Sequence, residues 1–128
     1  GDIRGKDVIV VDDIIASGES MMDVARKIRE MGARRVFLFA SFGLFCEGLE
    51  KIDEAYENGY FDYLFTTNLV YRSPELLSRK WFVEVNLTKY VALLIDTLNH
   101  DRSISRLLSN AEKITNLQQA HMKHTEQN

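Results

Sequence analysis

Two adjacent carboxylates, Asp12 and Asp13, close the apolar run Val8-Ile9-Val10-Val11 and precede Ile14-Ile15-Ala16-Ser17-Gly18-Glu19-Ser20. An ionised carboxylate only accepts hydrogen bonds, which suits such a pair to hold the vicinal hydroxyls of a sugar. A few residues later Gly18 leads into a segment of helical period. A glycine loop opening a helix directs unpaired N–H groups and the positive end of the helix dipole at an anion, phosphate above all. Ser17 and Ser20 can add hydroxyl donors. The ligand implied by acids and loop together is a sugar 5-phosphate. The plainer alternative is a turn with a helix cap, in which Asp13 or Ser17 accepts from the first amides of the next helix.

These groups need elements to hold them. Val8 to Val11 show no polar alternation, the pattern of a strand buried on both faces of a parallel sheet, so a strand is expected over 8–12. Met21, Val24, Ala25, Ile28 and Met31 recur with a 3.6-residue period and predict a helix over 19–31. Residues 35–41, 63–67 and 81–85 are short and rich in β-branched or aromatic side chains, as further strands would be. A second helix over 45–56 would place Phe45, Leu49, Ile52 and Tyr56 on one stripe. Ser73-Pro74 reads as an N-cap with proline at the first helical position, opening a short helix through Leu77. Thr88 begins a fourth, with Val91, Leu94, Ile95 and Leu98 as its buried face. This alternation predicts an α/β fold, a three-layer doubly wound and mainly parallel sheet with right-handed crossovers. Ligands of such sheets bind outside the carboxyl ends of the strands, where Asp12 and Asp13 fall.

Composition bounds the rest. With 128 residues, 45% hydrophobic and one proline, the chain reads as a single globular domain. A net charge of −3 gives no general attraction for nucleic acid, and Arg34-Arg35 is too short a basic run to argue otherwise. Cys46 is alone, and neither a signal peptide nor an apolar stretch of membrane-spanning length is visible, so a reducing cytoplasm is expected. His100, His121 and His124 show no cluster with a third ligand, and no metal site is expected among them. Asn86-Leu87-Thr88 fits the glycosylation triplet but reads as a strand-to-helix cap. Thr66-Thr67-Asn68 reads as a strand end with turn chemistry. Leu107, Ala111, Ile114 and Leu117 continue a helical stripe, beyond which residues 118–128 are almost wholly polar; a frayed terminal helix and a dimer contact both fit.

Four apolar residues, two acids, a short apolar link and Ser17-Gly18-Glu19-Ser20 together resemble the phosphoribosyl pyrophosphate (PRPP) motif of the phosphoribosyltransferase fold. From Gly1 to Leu108 the chain is similar to the C-terminal half of the ribose-phosphate pyrophosphokinases, or PRPP synthetases. Gly1-Asp2-Ile3-Arg4-Gly5-Lys6 resembles that family's lead-in, Met31-Gly32-Ala33-Arg34-Arg35-Val36 its helix-to-strand turn, and Thr66-Thr67-Asn68 its Thr-Asn-Thr. Ser41-Phe42-Gly43 stands where it usually has Thr-His-Gly. Val83-Glu84-Val85-Asn86-Leu87 and Ser103-Ile104-Ser105-Arg106-Leu107-Leu108 look like its final strand and its Ser-Val-Ser-x-Leu-Phe ending. The chain departs from the pattern at Ala16, where an acid is common, at Glu19, where glycine is, and at Phe42 and Leu108. A glutamate in a phosphate loop must point away, or it repels the ligand.

The resemblance implies a phosphoribosyltransferase-like domain over 1–108 and a helical tail over 109–128. It implies a part in nucleotide biosynthesis, in which the β,γ-diphosphoryl group of ATP moves to the C1 hydroxyl of ribose 5-phosphate, giving PRPP and AMP with magnesium. Asp12 and Asp13 would hold the ribose hydroxyls, and Ala16, Ser17, Gly18, Glu19 and Ser20 the 5-phosphate. Ser103 and Ser105 would contact a regulatory phosphate or serve as ordinary helix caps. The family's mobile lysine and arginine loop, pyrophosphate loop, metal-binding histidine and nucleotide-binding residues precede the acidic pair. No catalytic residue and no metal ligand is therefore expected within this chain, Mg2+ being held through the substrate and those other residues. The expectation is a piece of a longer homo-oligomeric enzyme, inactive alone. Rivals are a phosphoribosyltransferase acting on a base, a non-catalytic regulatory relative of the synthetase, and a purely structural domain.

Overall fold

The apolar and aromatic stretches form four parallel strands, β1 (Asp7–Ile15), β2 (Arg35–Gly43), β3 (Tyr63–Thr67) and β4 (Phe82–Val85), side by side in that order in one sheet. Three helices link them, α1 (Glu19–Glu30), α2 (Glu50–Glu57) and α3 (Pro74–Leu77), and α4 (Thr88–Asn99) and α5 (Ser105–Leu108) follow. The computed structural model describes residues 1–108, 111 and 114–119. It falls into two compact units, Gly1–Leu87 and Thr88–Asn128.

In the first unit every crossover steps the same way along the sheet. Right-handed connections that never reverse direction place their helices on one face. The core lies there: Val36, Leu38, Ala40 and Leu64 of the strands are buried with Met21, Met22 and Ala25 of α1, Ile52 and Ala55 of α2 and Leu76 of α3. Each fully buried aliphatic side chain in such a layer contributes about 1.5–3 kcal/mol. The other face is apolar too, with Phe39 stacked on Phe65 at a centroid distance of 4.3 Å and Phe37 on Tyr63 at 6.4 Å. On β1, Val8 and Val10 pack against the helical core, while Ile9 is 62% and Val11 76% exposed. The expectation that β1 is buried on both faces is therefore corrected. An apolar run records that both faces avoid charge; it does not say which element covers each.

Other boundaries shift for local reasons. The strand carrying the acids runs on to Ile15, so Asp12 and Asp13 lie inside it. Helix α1 ends at Glu30, with Met31 as its C-cap, and buries Met21, Met22 and Ala25 while Val24 and Met31 are exposed. The second helix starts at Glu50 and not at residue 45. Phe45 has φ 48 and Gly48 φ 83, both left-handed and incompatible with an α-helical turn, so residues 44–49 form a loop. Leu49 and Ile52 are nonetheless buried, and Phe45 and Tyr56 pack against the core. Ser73 caps α3, its Oγ accepting from the Leu76 amide at 3.1 Å. In the second unit α4 forms where expected, but none of its residues is buried and Ile95 and Leu98 are exposed, which corrects the buried stripe assigned to it. Within the tail, residues 109–110, 112–113 and 120–128 lie outside the described residues; of the stripe, Ile114 and Leu117 are helical and exposed.

Candidate functional site

Register places the chemistry at one end of the sheet. Asp12 pairs with Ala40, Ala40 with Thr66 and Thr66 with Glu84, a row across all four strands near their carboxyl ends. Up to this row the alternation is regular, with Val36, Leu38 and Ala40 facing the helices. Beyond it Ile15 and Gly43, which pair with each other, are the buried positions. The parity of β1 and β2 thus changes together while their pairing continues, and the change falls at the acidic pair. The Asp12 carboxylate accepts from the Asp13 amide at 2.8 Å.

The loop after β1 is held from two sides. The Leu44 and Cys46 amides donate to the Ile15 and Ala16 carbonyls, both at 2.8 Å, with left-handed Phe45 turning the chain between them. Gly18 is the N-cap of α1 at φ 89, and a Cβ there would lie 3.1 Å from Ile52 Cδ1 of α2. Ser17 Oγ accepts from the Glu19 amide at 3.4 Å, and the Met22 amide makes the first helical bond to the Gly18 carbonyl at 3.0 Å. The first-turn amides before Met22 have no acceptor within the helix itself.

Asp12, Ala16, Ser17, Gly18 and Ser20 line one cleft of about 150 Å3, with Ile15 and Met21 buried in its wall. Asp13 and Glu19 are not among its lining residues. Glu19 turns instead toward α2, where the Lys51 ammonium lies 3.6 Å from its Oε1 and 3.1 Å from Glu47 Oε2. The Lys51 pKa is raised, first by the hydrogen bond to Glu47 and then by the charge of Glu19. Sequence reasoning missed Lys51: the Glu47 and Lys51 spacing is legible as a helical pair, but its approach to Glu19 is long-range. It also missed a second, apolar depression of about 280 Å3, lined in part by Val11, Phe39, Phe65 and Val85, which shares Asp12 with the first.

The remaining candidates do not line this cleft, although Thr66 and Thr67 share the second depression with Asp12. Thr66 is 1% exposed in β3, and Thr67 Oγ1 donates to the Ser41 carbonyl. Asn68 follows the strand, its Nδ2 donating to Asn86 Oδ1 at 3.0 Å and its Oδ1 accepting from the Leu87 amide at 2.9 Å, so this triplet ends β3 and ties it to the end of β4. Phe42, paired with Ile14, lies at the end of β2. In the second unit Ser103 Oγ donates to Ser105 Oγ at 2.9 Å and accepts from the Ser105 amide at 3.3 Å, the short-range pattern of a turn that opens α5. Among the described residues no three His, Cys, Asp or Glu side chains converge on a metal position, and no helix is long and apolar enough to cross a membrane.

Residues 1–109 match the family described as the phosphoribosyl synthetase-associated domain. The chain is 32% identical over 109 residues to a ribose-phosphate pyrophosphokinase of Shewanella oneidensis, covering 85% of this chain and 34% of that protein. It is 44% identical over 55 residues to the enzyme of the same name from Pyrococcus abyssi, covering 42% of this chain and 19% of that one. The chain thus spans about a third of the length, or less, of these relatives. A solved phosphoribosylpyrophosphate synthetase from Mycobacterium smegmatis superposes with a TM-score of 0.68 at 20% identity, over 79% of this chain and 33% of that one, which shows a shared, phosphoribosyltransferase-like fold.

Proposed function

Because the chain belongs to the phosphoribosyl synthetase-associated domain family, we propose that it is the ribose-5-phosphate and PRPP binding portion of a ribose-phosphate pyrophosphokinase, from the C-terminal half of that enzyme. The observation that carries this reading is the single cleft shared by the Asp12 carboxylate and the glycine loop at the start of α1. A sugar phosphate needs both chemistries a few ångströms apart. The loop amides with Ser17 and Ser20 take the 5-phosphate, and Asp12 with Asp13 beside it takes the ribose hydroxyls and orients the attacking oxygen at C1. A contact of Ser103 and Ser105 with regulatory phosphate belongs to the same reading.

The parent reaction transfers the β,γ-diphosphoryl group of ATP to that oxygen, and such transfer depends on positioning and on neutralising charge. No Lys or Arg lines the cleft. The described residues also do not fit a magnesium cage, so no step is assigned to a metal held by this chain. The chain by itself therefore binds weakly and does not turn over, its activity residing in a longer, oligomeric cytoplasmic protein. Glu19 and Phe42 favour a second reading, a regulatory relative that keeps the fold and the ligand but has lost the chemistry.

Calorimetric titration with ribose 5-phosphate, and with PRPP plus magnesium, beside an Asp12→Asn, Asp13→Asn double variant tests the site. Losing hydrogen bonds to two charged acceptors is expected to weaken binding at least about tenfold. Equal binding by a folded double variant would remove the sugar from the acidic pair, and absence of heat from the folded wild type would mean that the site needs the rest of the enzyme or that the loop with Glu19 no longer holds phosphate.

A further inference from the structure

Glu19 puts a negative charge inside a loop read as a phosphate cradle, and its surroundings answer for it. Of the five residues from Ala16 to Ser20, Glu19 is the one that does not line the cleft. Its carboxylate is turned to Lys51 Nζ, 3.6 Å away on α2. The same helix packs Ile52 against Gly18, the residue just before Glu19, so the contact that supports the loop also delivers the lysine to the acid. We infer that Lys51 is a positioning residue of the ribose-phosphate site, holding Glu19 out of the cleft and cancelling its charge so that the loop can accept a phosphate dianion. The inference rests on the reading of this cleft as the 5-phosphate site.

Glu47, 3.1 Å from the same ammonium, competes for it. Lys51 is thus shared between two acids, and the loop's effective charge depends on how it divides its bonds. An exposed pair of this kind contributes little to stability, so its effect belongs to ligand affinity and not to folding. With Lys51 neutral, Glu19 faces an incoming dianion uncompensated, a repulsion worth about fivefold in affinity at low salt and less as salt screens it.

The test is titration of the full chain with ribose 5-phosphate, followed by the amide NMR signals of residues 16–20, which reads millimolar affinities and shows directly that each variant is folded. Lys51→Met is expected to weaken binding about fivefold at low ionic strength, with the deficit shrinking at 0.5 M salt, and Lys51→Arg to bind as the wild type does. Adding Glu19→Gln to Lys51→Met is expected to restore affinity. If Lys51→Met binds like the wild type, the inference fails while the site stands. If Glu19→Gln does not restore the Lys51→Met variant, Lys51 acts on the phosphate itself and the positioning role is overturned. If the wild-type loop signals do not move at all, the site reading fails and takes the inference with it.

Discussion

Gly18 shows how much a single backbone position decides. At φ 89 it turns β1's trailing loop into the start of α1 while lying close enough to Ile52 that even a methyl group would press on it. An L residue in the left-handed region costs about 1–2 kcal/mol, and the flexible end of Ile52 can yield, so Gly18→Ala is expected to destabilise the chain by about that amount in urea denaturation. An unchanged midpoint would mean the loop has another conformation open to it. That Asp12, Ser17 and Gly18 would lie close together was legible from their order in strand, loop and helix start, and they do line one cleft. Lys51 was not. Its local spacing offers Glu47 and Glu54 as partners, and Glu19 reaches it only through the docking of α2 on the loop.

At the scale of elements, the strands and α1 were placed closely by period and composition, and Ser73-Pro74 marked α3 through its cap. The second helix was not, because an apolar stripe at 45, 49, 52 and 56 continues across a loop whose left-handed residues stop the helix. Besides the apolar face that buries Ile52 and Ala55, polar bonds tie α2 to the β4 side of the same layer. Asp53 accepts from Trp81 Nε1 at 2.7 Å and from Arg79 Nε at 3.0 Å, joining α2 to the segment between α3 and β4. Trp81 is buried, and Phe61 meets it edge-on with centroids 5.9 Å apart. Asp53→Ala would leave the indole N–H buried without this acceptor, so a loss of about 1–3 kcal/mol is expected, with tryptophan emission shifting to the red. Retained stability and unchanged emission would show that water replaces the carboxylate at no cost.

Over the whole molecule, the amino ends of β1 and β2 are tied by charge. Arg34 donates two hydrogen bonds to Asp7 at 2.8 and 2.9 Å, and Arg35 donates to the same carboxylate. These bonds, Arg34's first and then Arg35's, hold the Asp7 carboxyl well below the usual carboxylate range. A carboxylate whose pKa is lower folded than unfolded adds stability that is present above the unfolded value, near 3.9, and is lost as pH falls through the folded one. Stability is therefore expected to hold from pH 7 to about 5 and to decline below about 4, and Asp7→Asn to flatten part of that decline. Identical acid slopes for the two proteins would mean that the pair is screened out in solution.

What the sequence by itself determined is local: the order of strand, acids, loop and helix, and the apolar character of each element. These depend on β-branched stiffness, helical period and the freedom of Gly18, all of which act within a few residues. What only the tertiary structure decided is which groups meet. The one-way winding of β1 to β4 left Ile9 and Val11 exposed, the α4 stripe is not buried, and the docking of α2 brought Lys51 to Glu19. Periodicity encodes that a face is apolar, but the identity of its partner depends on contacts between residues far apart in the chain, and those no local pattern records.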